Sequence, residues 1–377
     1  MTSSKKIKIC IFTSVHPWND VRIFYKQATS LAKRYSVELH APAEFDKKTI
    51  NKLTVRGLPL WENKRHRVKT FFILLKRIWT SEADIFHFHD PELIVHGLIL
   101  KIFRRKKVIF DVHENTIQLI KDRSWISYIY KKPLSLFYLG LEKLAPILFD
   151  KIILAEESYR SFIPNNSEVI LNFPLVSHIL KDQKKQTDAI YVGGVLKERG
   201  AFELLKIANY VVDEIPTFLM KIVGPVGNTL LYELKKYIKI NNLKNNVIIT
   251  GAIDHSLAME EVKKAKIGLA ILHPIGNYLN SLPTKLFEYM CYGLPFIASD
   301  FEYWKRFFNG EKAGYFVPYD NTQYSADKII TLLTDDHLRN QLGVTGKELV
   351  KEEYEWLTEE KKLFTIYDTI IANIYIK

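Results

Sequence analysis

Short apolar runs alternate with longer stretches whose apolar positions recur every three or four residues, through nearly the whole 377-residue chain. KIKICIFTS, YSVELHAPA, DIFHFH, KVIFDVH and DKIILAEE read as strands buried on both faces of a parallel sheet. Between the first two, DVRIFYKQATSLAKRY carries the helical period. LNFPLVSHILKDQKKQTD then breaks the rhythm with Pro174 and a Lys-rich run, as an interdomain linker would. The alternation restarts with DAIYVGG as a strand and AFELLKIANYVVDE as a helix. FLMKIVGP, NVIITGAI, IGLAILHP, LPFIASD and YFVPYD follow as strands, and EYEWLTEEKKLFTIYDTIIANIYIK closes the chain as a helix. Two successive βαβ series predict an α/β protein of two doubly wound domains. The expected division is 1–175, 176–355 and a C-terminal helix over 356–377 packing back towards the N-terminal domain. Ligands of such sheets bind beyond the carboxyl ends of the strands, so the expected site is a cleft between the domains.

Composition narrows the class. Hydrophobic content is 47% and charged content 25%, values of an ordinary globular protein whose core needs no disulfide staples. The two cysteines, Cys10 and Cys291, lie in apolar stretches and read as buried free thiols of a reducing compartment. The first apolar run is too short for a signal-peptide core, and no window approaches the roughly 18 apolar residues of a membrane span. The expected location is therefore cytoplasmic, peripheral on the inner face of the cell membrane. The net charge of +12 is uneven: residues 1–185 hold 32 Lys and Arg against 18 Asp and Glu, and residues 186–377 hold 22 against 24. A basic half beside a near-neutral half suggests that one domain faces a polyanion.

The most informative stretch is NYLNSLPTKLFEYMCYGLP, residues 277–295. Ser281 or Leu282 is the expected N-cap, Pro283 suits the first helical position, Gly293 ends the helix and Pro295 prevents continuation. First-turn amides near Thr284 and Lys285 have no partner within the helix. With the helix dipole and the Lys285 charge they make an anion site. Glu288 lies one turn on, along the face of Thr284, where a carboxylate accepts two hydroxyl hydrogen bonds, as from a ribose. A surface helix with one exposed Glu would carry the same periodicity.

LPTKLFEYMCYGLPFIASD resembles the donor-site motif of the retaining glycosyltransferase family 4 (glycosyl transferases group 1), of the GT-B fold. TSVHPWNDVRIFYKQATSLAK resembles the first strand, loop and helix of its polysaccharide- and capsule-building branch. DIFHFHDPEL and VIFDVHEN resemble later strands of the acceptor domain, and YVGGVLKERG, KIVGP and VIITGAI those of the donor domain. The resemblance covers nearly the whole chain and implies two Rossmann-like domains, the first binding an acceptor and the second a nucleotide sugar. It implies that Glu288 holds the nucleotide ribose and that Asn280 stands where the family has a first glutamate near the donor sugar. Gly224 and Ile253, in the loops after KIVGP and VIITGAI, are implied to meet the base. The family's first diphosphate-binding arginine falls on Gly194 and its lysine on Arg199, whose planar fork suits phosphate oxygens. His113 matches a histidine that touches the donor sugar from the acceptor side. His113, Arg199 and Lys285 are thus the implied catalytic residues, with Gly224, Ile253, Thr284 and Glu288 completing the donor site.

No Asp-x-Asp occurs, and His87 and His89, alternating with Phe86 and Phe88, lack the spacing of a metal site. Of each alternating pair, one residue is expected to pack. Neither a metal nor any other cofactor is expected, only a nucleoside diphosphate sugar as co-substrate. Asp20 is a candidate N-cap of the helix that follows HPWND, with Arg22 beside it. KRHRVKTFFILLKRIW, KIFRRKK and SWISYIYKKPLSLFYLGLEKLAPILF mix basic and aromatic residues, as an anionic membrane surface requires. No nucleic-acid module occurs despite the sequence pI of about 9.3. The expected reaction is retaining transfer of a sugar from a nucleoside diphosphate sugar to a hydroxyl of a glycan or lipid-linked glycan, without a metal. A nucleotide-sugar epimerase of the same fold and a catalytically degenerate glycan-binding subunit are the alternatives; Asn280 and Gly194 favour the second.

Overall fold

The computed structural model describes residues 6–60, 64–113, 116–117, 120, 127–176 and 184–375. The chain forms two compact units, residues 1–172 with 356–377, and residues 173–355.

In the first unit the strands are β1 (Lys8–Phe12), β2 (Ser36–Pro42), β3 (Lys47–Ile50), β4 (Leu53–Leu58), β5 (Ile85–Phe88), β6 (Lys107–Val112), β7 (Lys151–Leu154) and β8 (Ser167–Val169). Their order is β3-β4-β2-β1-β5-β6-β7-β8, parallel throughout except for the β3–β4 hairpin. The apolar runs became central strands because helices cover both sheet faces, leaving no polar side for alternation to mark. On β5 this overrules the expected sorting of one residue of each pair inward: Phe86, His87 and Phe88 are all fully buried. The β3–β4 hairpin had no apolar run to announce it. β3 is a mostly exposed edge strand, and its two-residue turn places Asn51 and Lys52 at φ +49° and +68°.

In the second unit β9 (Thr187–Val192), β10 (Met220–Val223), β11 (Val247–Gly251), β12 (Ala265–Ala270), β13 (Phe296–Ser299) and β14 (Gly314–Val317) form an all-parallel sheet. Its order is β11-β10-β9-β12-β13-β14. The order reverses between β9 and β12, and in the first unit between β1 and β5. Those are the points where such sheets open a crevice at their carboxyl ends.

The helix Trp356–Tyr375 is built into the first unit. Trp356 donates its indole N–H to Ser30 at 3.0 Å, Glu359 accepts the Leu171 amide at 2.9 Å, and the Tyr367 hydroxyl lies 2.9 Å from His87 Nδ1. Both cysteines are buried and neither is in a disulfide. Among the described residues no helix is long and apolar enough to cross a membrane. Residues 177–183 of the expected linker, and Glu114 and Asn115 beyond His113, lie outside the described residues.

Candidate active site

At the carboxyl end of β9 the chain turns through Gly193 and Gly194. Gly193 sits at φ +136° and Gly224, after β10, at φ +146°. A Cβ on Gly224 would lie 1.9 Å from the Gly193 carbonyl oxygen, so the two turns approach as only glycine permits. Two cations stand over this floor. A Cβ on Gly193 would meet Lys285 Nζ at 3.2 Å, and one on Gly194 would meet an Arg199 terminal nitrogen at 3.5 Å.

Lys285 reaches there from the helix Thr284–Cys291. That helix starts later than expected: Pro283 is the N-cap residue, with ψ 111°, and Thr284 the first helical residue. Ser281, instead of capping, donates its hydroxyl to the Asn277 carbonyl, and its own carbonyl accepts the Trp304 indole N–H. Thr284 is exposed, Glu288 half-buried, and Phe287, Tyr289 and Met290 anchor the inner face. First-turn amides at Thr284 and Lys285 have no preceding helical carbonyl to serve.

Lys285 is only 9% exposed, and its ammonium has no hydrogen-bond partner among the described residues. The ammonium lies 3.8 Å from the centroid of the Tyr191 ring. Burial, aided by the neighbouring Arg199 charge, pushes its pKa down to about 7, while Glu288 works in the opposite direction. Arg199, in the short turn after the glycines, donates from Nε to the Tyr278 hydroxyl at 3.1 Å. Ile253 is partly exposed in the loop after β11, and Asn280 is exposed after the turn Gly276–Leu279. Gly224, Arg199, Lys285, Thr284, Glu288, Ile253 and Asn280 all belong to this unit. Tyr191 and Tyr278 were not singled out by sequence reasoning. Their only signal was position, at a strand's carboxyl end and two residues before Asn280.

His113 belongs to the first unit, at the carboxyl end of β6. Its Nε2 lies 2.8 Å from His89 Nδ1 and 3.5 Å from the Asp111 carboxylate. His16, from the loop after β1, lies beside it with ring centroids 5.3 Å apart and planes tilted by 35°, and its nitrogens lie 3.5 Å from Asp20 and 3.6 Å from Asp90. Asp20 is the N-cap anticipated for the helical segment that begins at Val21, accepting the amides of Arg22 and Ile23 at 2.9 Å. Arg22 is buried and clasps Asp111 through Nε at 3.2 Å and Nη2 at 3.0 Å. Burial works to raise the Asp111 pKa, but Arg22, with His113 and His89, holds it well below the usual carboxylate range. Burial also keeps the imidazoles of His87, at about 4, and His89 neutral.

His87 and His89 do have acidic company that their spacing did not show: both face Asp111. The set does not fit a metal ion. Arg22 and Gln27 already take both Asp111 oxygens, and a guanidinium 3.0 Å from the carboxylate would repel a second cation.

Residues 176–349 match the family model "Glycosyl transferases group 1". An uncharacterized glycosyltransferase of Methanocaldococcus jannaschii is 21% identical over 286 residues, 71% of this chain and 70% of that one. Sucrose-phosphate synthase from Thermosynechococcus elongatus superposes with a TM-score of 0.74 at 14% identity, covering 98% of this chain and 100% of that one. HepE of Anabaena, solved with UDP and glucose, gives 0.71 at 13% identity, covering 96% and 99%. The strand orders and these likenesses make the architecture GT-B, two Rossmann-like domains in one chain. The match over residues 176–349 and the likeness to a named glycosyltransferase make the chain a glycosyltransferase whose second unit is similar to the glycosyl transferases group 1 family.

Proposed function

We propose that the enzyme transfers a sugar from a nucleoside diphosphate sugar to a hydroxyl of a glycan or lipid-linked glycan, with retention and without a metal ion at the diphosphate. The observation that carries this reading is the pair of cations over the Gly193–Gly194 turn. Lys285 is buried with no hydrogen-bond partner among the described residues, and Arg199 is held by a phenol. Two cations beside the amides of a helix N-terminus suit a diphosphate, and they stabilise it most as it leaves. That HepE was solved with UDP and glucose agrees with such a donor. In this reading Glu288 takes the ribose hydroxyls, Gly224 and Ile253 flank the base, and Asn280 lies towards the sugar. His113, in the first unit, is the residue proposed to serve the acceptor. The leaving diphosphate departs from the face that the acceptor hydroxyl attacks, through an oxocarbenium-like state. The residues named here orient the reactants and stabilise the leaving group.

The test is turnover against a panel of nucleotide sugars and glycan acceptors, with and without EDTA, and with the product anomer read by NMR. Retaining transfer that survives EDTA is expected. Donor conversion without acceptor would mean an epimerase. Donor binding with no turnover would mean the degenerate subunit suggested by Asn280 and Gly194.

A membrane-borne acceptor is the reading that the first unit's outer helices favour. Lys64–Thr80, Ile94–Arg104 and Tyr128–Leu148 together contain eleven Lys and Arg and one Glu, Glu142, which is buried. Phe72, Phe103, Tyr128 and Ile129 on them are 62%, 71%, 89% and 76% exposed, so these apolar residues are surface, not core. An anionic bilayer suits both features. Co-sedimentation with phosphatidylglycerol vesicles should exceed that with phosphatidylcholine and fall with salt, whose screening shortens the reach of charge to about 8 Å at physiological strength. Equal binding to both vesicles would remove the electrostatic part.

A further inference from the structure

The donor site holds its cations with phenols where an acid would be the stronger partner. A carboxylate against Arg199 would fix the guanidinium but cancel its charge before any donor arrived. In the structure Nε of Arg199 instead donates to the Tyr278 hydroxyl at 3.1 Å, and the guanidinium carbon lies 5.5 Å from that ring's centroid. A phenol oxygen accepts one N–H and neutralises nothing. The guanidinium's outer edge is left over Gly194, where a Cβ would come within 3.5 Å of it. That turn is itself tied by the Tyr191 hydroxyl, which donates to the Gly194 carbonyl at 2.8 Å. Asn280, in the same loop as Tyr278, adds no negative charge beside the pair.

We infer that Tyr278 is a positioning residue: it fixes Arg199 through Nε while leaving its charge uncancelled for the donor's diphosphate. This rests on the reading of Arg199 as a diphosphate ligand. A guanidinium free to rotate would have to be ordered anew in each transition state, so the loss should appear in turnover. The phenyl ring of Tyr278→Phe keeps the stack and removes only the oxygen.

The experiment is a double-mutant cycle on kcat with saturating donor, using Tyr278→Phe, Arg199→Ala and the double variant. Tyr278→Phe alone should lower kcat by about tenfold, the size of one hydrogen bond to a charged group. Its melting temperature should be unchanged. In the Arg199→Ala background it should change kcat less than twofold. An equal tenfold loss in both backgrounds would overturn the inference, because Tyr278 would then act independently of Arg199. A normal kcat for Tyr278→Phe, with Arg199→Ala severely impaired, would also overturn it while leaving the diphosphate reading intact. A normal kcat for Arg199→Ala would instead strike the diphosphate reading itself.

Discussion

Each unit buries charged side chains beneath the carboxyl ends of parallel strands, and the two treat that charge in opposite ways. In the first, Arg22 and Asp111 are 4% and 0% exposed and neutralise each other, with Gln27 completing the carboxylate's hydrogen bonds. In the second, Lys285 is nearly as buried, yet its nearest charged neighbours include another cation, Arg199, and its ammonium rests on a ring face. A buried charge with a partner is at home in the folded state. A buried cation without one is destabilising until an anion arrives, and a protein keeps such a group where a ligand supplies the anion. The paired cluster therefore reads as the frame that orients His89 and His113. The unpaired cations read as the place of binding.

Breaking each arrangement tests the difference most strongly in stability. Arg22→Met strands Asp111 in the core and removes the 2.8 Å bond to the Ile170 carbonyl. Denaturant unfolding followed in the first unit should show a loss of about 3–5 kcal/mol, the cost of orphaning one member of a buried pair. Lys285→Met, the same substitution class in the second unit, should leave stability unchanged or higher while weakening donor binding. A large loss in both would mean that Lys285 has a structural anion partner and that the contrast is false.

The next effect is on catalysis. Arg199→Ala should lower kcat by roughly 10²–10³, the size seen when one preorganised donor to a developing anion is removed. Arg199→Lys should recover only part, because a point charge cannot reproduce the planar fork. Melting temperature should barely move. A normal kcat for the alanine variant, measured with saturating donor, would make Lys285 the next cation to test. Arg22, in the first unit, is already spent on Asp111.

Which parts of this were readable in the sequence follows from what each part depends on. β1, β5, β6 and β9 were legible because a strand buried on both faces must be apolar along its length. Asp20 was legible because capping is local, three residues wide. The helix start at Thr284 was missed by a residue because Ser281 finds Asn277 and Trp304 as partners, which local sequence does not show. The β3–β4 hairpin was missed because KKTI has no buried face. The Arg22–Asp111 pair joins residues 89 apart, and Arg199–Tyr278 residues 79 apart. Neither pair has a periodicity, so only the folded sheets, which bring successive strand ends to one edge, could reveal them.

The smallest effect is also the most specific to the unpaired cation. Burial lowers Lys285 to about 7, against 10.5 for an ordinary lysine. The folded pKa is the depressed one, so between those values the unfolded chain holds more protons than the folded chain. Stability of the empty second unit from this group therefore rises with pH across that window. A diphosphate placed against the ammonium favours its charged form and raises the pKa again. Binding at pH 8 must then take up about one proton, and binding at pH 6, where the ammonium is already charged, almost none. The diphosphate of a nucleotide sugar has no group titrating in that range, so the proton can be assigned to the protein. Titration calorimetry in buffers of different ionisation enthalpy measures the uptake directly. Lys285→Arg, a cation that does not titrate in this range, should abolish the pH dependence of uptake while retaining binding. No uptake at pH 8 in the unmodified enzyme would mean that Lys285 is charged in the empty site, and so neutralised there as Arg22 is in the first unit.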